Sequence, residues 1–273
     1  MEEKIGLIAG NGRFPILFAQ GARENNVRVV AVAIEGETSP EIEDYVESLH
    51  WIKLAQLGKL IRCFKSEGVT RAVMAGGLTK SKMYSRFPFL KYRPDWRGIS
   101  LFYRQIKDKN DHTVLGGVAE ELAKDGITLE SSILYVPQLL AEKGCLTTRE
   151  PSEKEAKDIE YGWPIAKEIA RFGIGQSIVV KDHVVVAVEA VEGTDEALQR
   201  AGKLARGGVV AIKVGREDLD MRFDIPTIGP ETVKTLKDAG VTCLAIEAER
   251  TLVLDKDEVR EAADSAGVCI VAR

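Results

Sequence analysis

Four short apolar runs in the first half of the chain constrain the fold most. IGLIAG (5–10), VRVVAVAIE (27–35), HWIKLA (50–55) and TRAVMAGG (70–77) suit buried strands, and two of them end in glycine. ILFAQGARENN and QLGKLIRCFKSEG, with helical character, lie between them. Strands separated by helices build a parallel sheet with crossover connections. Residues 99–124 read as helical, and SSILYVP is expected to form a strand leaving this half.

A polar stretch over 138–156 marks a boundary, and 273 residues suffice for two domains. The expected fold class is α/β, with a Rossmann-like parallel-sheet domain over 1–137 and a mixed α/β domain over 138–273. The second half opens on a helix with Ser152 as N-cap and Glu155 three residues on. Pro164 is expected at a kink or a second helix start. SIVV and HVVVAVEA read as a hairpin turning at Lys181 and Asp182. Thr194 or Asp195 is expected to cap the next helix, and VVAIKV, CLAIEAER, TLVLD and VCIVA are expected strands.

Composition excludes several classes. With 45% hydrophobic and 29% charged residues the chain can bury cores, and a net charge of -4 gives no bulk attraction to nucleic acid. Cys63, Cys145, Cys243 and Cys269 form no CxxC pair, so small buried thiols are expected. No apolar run is long enough to span a membrane and the N-terminus does not read as a signal peptide; a cytoplasmic location is expected.

The glycine turn Gly10-Asn11-Gly12 follows the first strand, and AGGLTKSK places Gly76, Gly77, Thr79 and Lys80 after another. Such turns bring backbone N–H groups to phosphate, although each alone also suits an ordinary tight turn. Asp108 and Asp111 could share a helical face beside His112, as a metal site or as a solvated surface. Gly175 and Gln176 precede the hairpin, and Glu189 falls in its apolar second strand, where a lone carboxylate is costly without a partner. KVGREDLDMRFDIPTIG gathers Lys213, Arg216, Asp220, Arg222 and Asp224 before Pro226. Carboxylates suit magnesium and the guanidinium suits phosphate, while a salt-bridged surface loop is the plainer alternative.

GLIAGNGRFP, AGGLTK, KDKNDHTVL, the GIGQ and VEAVEGTD segments, and RFDIPTIG occur in the order seen in the LpxI-type UDP-2,3-diacylglucosamine pyrophosphatases, which the chain resembles over nearly its full length. The resemblance implies hydrolysis of UDP-2,3-diacylglucosamine to UMP and 2,3-diacylglucosamine 1-phosphate in lipid A synthesis, with water attacking the β-phosphorus. It further implies a divalent cation, Mg2+ or Mn2+, and substrate enclosed by two domains. Asp224 matches the family's essential aspartate, and Asp220 a position that is acidic in the family. Arg216–Leu219 and His112 depart from the family pattern. On this reading Asp224, Arg222 and Lys213 are catalytic, and Asp224, Asp220 and Asp111 are the metal candidates. Gly10, Asn11, Gly12, Gly76, Gly77, Thr79, Lys80, Gly175, Gln176, Glu189 and Thr194 bind substrate. Phe87, Phe89, Leu90, Tyr92, Trp96, Phe102 and Tyr103 could form core, an acyl-chain wall or a surface touching the inner membrane. A homodimer stays open. So do a non-catalytic nucleotide-sugar-binding module and a pyrophosphatase of relaxed specificity.

Overall fold

The computed structural model describes residues 3–78, 93–104 and 111–273, the side chains of 102–104 and 111–112 excepted. By internal contacts the chain forms two units, one of Met1–Pro137 with Asp220–Asp224, the other of Gln138–Leu219 with Ile225–Arg273.

In the first unit, β1 (Lys4–Ala9), β2 (Arg28–Ile34), β3 (Ser48–Ile52), β4 (Arg71–Ala75) and β5 (Thr128–Leu129) make a parallel sheet in the order β3-β2-β1-β4-β5. β1 and β2 carry runs of fully buried Ile, Leu and Val because helices cover them: α1 (Phe14–Glu24) packs on β1, β2 and β4, and α2 (Leu57–Ser66) on β2 and β3. Helices α3 (Trp96–Arg104) and α4 (Asp111–Lys124) follow. SSILYVP is not a strand. The short β5 comes earlier in the chain, and 132–135 form a turn in which the buried Ser132 spends its hydroxyl on backbone carbonyls.

The second unit holds a mixed sheet. Its strands are β6 (Gly144–Cys145), β7 (Ser177–Lys181), β8 (Val184–Val188), β9 (Val209–Lys213), β11 (Val241–Ile246) and β13 (Cys269–Ala272), ordered β6-β13-β11-β9-β7-β8. β9, β11 and β13 run parallel, while β6, β7 and β8 are antiparallel to their neighbours. β10 (Thr227–Ile228) and β12 (Leu252–Val253) form a small pair, so only two residues of TLVLD are strand. Helix α5 (Glu153–Arg171) begins with the expected capping box between Ser152 and Glu155, and it runs through Pro164 without a second start. The hairpin turns one residue later than expected, at Asp182-His183. Both residues have positive φ, and the Asp158 carboxylate accepts both backbone N–H groups at 3.1 and 2.8 Å. Helix α6 (Thr194–Ala205) has Gly193, not Thr194, at its N-cap; α7 (Pro230–Asp238) and α8 (Lys256–Ala266) complete the unit.

The cysteines are free thiols, but three are not isolated from one another: Cys145, Cys269 and Cys243 lie on the adjacent strands β6, β13 and β11. The Cys145 and Cys269 sulfurs are 3.7 Å apart.

Candidate active site

Both glycine turns leave the carboxyl edge of the first sheet at β1 and β4, the neighbours between which the strand order reverses. They are laced directly to each other. Gly10 N donates to Ala75 O at 2.8 Å and Asn11 N to Gly77 O at 2.8 Å. A Cβ on Gly10 would stand 2.4 Å from Gly77 O, and one on Gly76 2.4 Å from Asn11 O, so any side chain would force the turns apart. Thr79 and Lys80 lie outside the described residues, as does the side chain of Asp111.

The segment Asp220–Asp224, although carried by the C-terminal half of the sequence, is built into this same unit. Phe223, 4% exposed, joins the buried cluster of Ile8, Met74 and Leu129. Ser132 N donates to Met221 O at 2.8 Å. Ser132 Oγ lies 2.7 Å from both Met74 O and Arg222 O, which ties the segment to the end of β4 just before Gly76. Glycine turns and the RFD segment thus share one sheet edge.

Within the segment, Arg222 lies against both Asp220 oxygens, with Nε at 3.0 and 3.1 Å and a terminal nitrogen at 2.7 Å from Oδ2. That bond raises the Arg222 pKa above its ordinary value. Asp220 therefore orients the guanidinium. Asp224 is half-buried and held at φ +59°, a left-handed conformation that Asp tolerates better than most residues. Among the described residues no group of three or more His, Cys, Asp or Glu could hold a metal by itself. Magnesium commonly takes one or two protein carboxylates and completes its shell with substrate phosphates and water, and Asp224 fits that sparser demand.

The second unit collects another set. Glu189, expected inside β8, stands just past its end. There the Thr194 hydroxyl donates to Glu189 Oε2 at 2.9 Å, which answers the cost of a lone carboxylate. Lys213 Nζ donates to Thr194 Oγ1 at 3.3 Å, and Ser177 Oγ is 3.4 Å from the same oxygen. Ser177 and Lys213 are register partners on β7 and β9, and Val214 N donates to Gln176 O at 2.9 Å. Gly175 allows close approach: a Cβ there would stand 2.2 Å from Glu189 O. Gln176, Glu189, Thr194 and Lys213 are thus brought together by three strands and a helix start. The loop after β9 is fixed by Glu247, which accepts from Gly215 N at 2.9 Å and pairs with Lys167 at 3.0 Å; Arg216 pairs with Asp218.

Ser132 and Ser177 escaped the sequence reading. The only signals were a Ser-Ser pair beside an apolar run and a serine directly after Gln176.

Residues 4–139 match the family described as LpxI N-terminal domain and residues 142–271 that described as LpxI C-terminal domain. The UDP-2,3-diacylglucosamine pyrophosphatase LpxI of Caulobacter vibrioides is 30% identical over 279 residues, covering 98% of this chain and 96% of the relative. The bifunctional purine biosynthesis protein PurH of Bacillus thuringiensis is 28% identical over 164 residues, 58% of this chain and 27% of that protein. Among solved structures, the biotin carboxylase subunit of pyruvate carboxylase aligns with a TM-score of 0.29 at 10% identity, over 76% of this chain and 42% of that one, too weak a likeness to carry an argument. Matched in order through both halves, the chain belongs to the LpxI family.

Proposed function

We propose that this protein hydrolyses the pyrophosphate of UDP-2,3-diacylglucosamine, releasing UMP and 2,3-diacylglucosamine 1-phosphate in lipid A synthesis. The relative matched over 98% of the chain is named for that substrate. The structural observation that carries the reading is the anchoring of Arg222 and Asp224 to the glycine-turn edge by Ser132 and Phe223. A phosphoanhydride needs a cation and a carboxylate at its reacting end, and Arg222 and Asp224 are the pair proposed to supply them.

In this reaction a water oxygen bonds to the β-phosphorus, the bond to the bridging oxygen breaks, and UMP leaves. Asp224 orients that water and takes its proton. Arg222, preset by Asp220, neutralises charge growing on the phosphate oxygens. Lys213 is proposed as the second unit's cation for anionic substrate oxygens, and Gln176, Glu189 and Thr194 as its polar contacts to substrate. Magnesium or manganese, when bound, supplies further charge neutralisation, with Asp224 as the proposed protein ligand.

Among the described residues no helix is long and apolar enough to cross a membrane. We place the protein in the cytoplasm, touching the inner membrane to collect its lipid substrate. Trp96, 75% exposed at the start of α3, supports that contact; Phe87, Phe89, Leu90 and Tyr92 fall outside the described residues, as do the Phe102 and Tyr103 side chains. The test is incubation with UDP-2,3-diacylglucosamine or UDP-GlcNAc, with and without magnesium, following UMP. Metal-dependent release from the acylated substrate alone is the expected result. Equal release from both identifies a pyrophosphatase of relaxed specificity, and tight binding without release a non-catalytic module.

A further inference from the structure

We infer that Glu37 recognises the ribose of the bound nucleotide and sets which way the substrate lies along the sheet edge. The inference rests on the nucleotide-binding reading above and goes beyond it in naming the residue and the moiety.

The turn after β2 is fixed onto the glycine-turn edge. Thr38, 7% exposed, donates from Oγ1 to Ala9 O at 2.6 Å and accepts from Ile34 N at 2.9 Å. Ala9 is the residue before Gly10, so a buried hydroxyl pins the β2 turn to the first glycine turn. Backbone bonds from Glu37 N and Thr38 N to Ile34 O, at 3.0 and 3.1 Å, close the same turn. The consequence is a located carboxylate: Glu37 Oε2 accepts from Asn11 Nδ2 at 3.1 Å. The other end of the Asn11 amide lies over the second turn, since a Cβ on Gly77 would meet Asn11 Oδ1 at 3.0 Å. Glu37, Asn11 and Gly77 therefore form a bar along the carboxyl edge of the sheet, from the β2 turn to the β4 turn.

A carboxylate at one end of that bar repels phosphate and attracts hydroxyl donors. In open parallel sheets, ligands sit outside the carboxyl ends of the strands at the point where strand order reverses, which here is β1/β4. An acid following the second strand of such a sheet is well placed to accept from a ribose hydroxyl. The other end of the bar adjoins the β4 end to which Arg222 is tied. The carboxylate at the Glu37 end gives the nucleotide one favourable direction, with ribose toward Glu37 and pyrophosphate away from it, toward the β4 turn.

The test compares binding of UMP, 2′-deoxy-UMP and 3′-deoxy-UMP to the full chain by calorimetry, in wild type, Glu37→Gln and Glu37→Ala. One hydrogen bond to a charged group corresponds to about tenfold in affinity or more, so wild type is expected to prefer UMP over one of the deoxy forms by about that factor. Glu37→Ala is expected to reduce the preference to about one, and Glu37→Gln to leave an intermediate value. A role confined to holding Asn11 would weaken all three ligands equally. Wild type that releases UMP from substrate but is indifferent to both hydroxyls overturns the inference, as does preference retained in Glu37→Ala. Absence of UMP release from the acylated substrate overturns the underlying reading instead.

Discussion

Asp224 is committed to an uncommon backbone conformation in the middle of a segment that Ser132 and Phe223 hold down. Asparagine tolerates φ near +60° as well as aspartate does, so Asp224→Asn isolates the charge. It is expected to cut UMP release by about a hundredfold or more, with the circular dichroism spectrum and urea midpoint unchanged; near-normal turnover would remove Asp224 from the chemistry. Ser132→Ala works through position. It strands two carbonyls that share one hydroxyl, at a cost of about 1–3 kcal/mol in urea unfolding, and frees Arg222 O. The expected kinetic signature is a fall in kcat with a smaller change in KM. Asp224 and Arg222 were readable from the chain as charged groups beside a rigid proline. Ser132 was not, because its partners lie 58 and 90 residues away.

At the scale of elements, the valine-rich strands and the capping box of α5 were legible because their signals are local: apolar runs and an S-x-x-E spacing. The failures were cases where a polar side chain took a partner that local spacing does not indicate. Asp158, one turn into α5, caps the hairpin turn and sets its position, while Thr194 bonds Glu189 in place of capping α6. Sequence spacing likewise concealed the thiols, which only the strand order β6-β13-β11 makes neighbours. The α5 start carries a pH dependence of its own. Burial would raise the Glu155 carboxyl, but the Arg149 fork and the Ser152 cap hold it down at about 2 against an ordinary 4.5. A depressed carboxylate contributes stability that is complete above its unfolded pKa and is lost as pH falls through the folded one. Its contribution, about 2–3 kcal/mol, is therefore expected to disappear between pH 4.5 and about 2. Urea midpoints of wild type and Glu155→Gln should converge over that range; a constant difference would assign the effect to other carboxylates.

For the molecule as a whole, the order of segments along the chain and the membership of the two units do not coincide. Phe223→Ala alters a residue of the C-terminal half, but the cavity opens in the first unit's buried cluster, which includes Ile8, Met74 and Leu129. A loss of about 3–5 kcal/mol is expected, read as faster amide exchange in β1 and β4 while β9 and β11 keep their protection. Faster exchange in the second unit's strands alone would contradict this placement of the segment.

That placement also bears on inheritance. A crossover near residue 137 between two members of the family would deliver an N-terminal half grown around one five-residue plug together with another parent's plug. The halves are expected to be tradable only where the pocket around Phe223 and the insert that fills it have changed in step, which would make the gene one unit of recombination despite encoding two bodies.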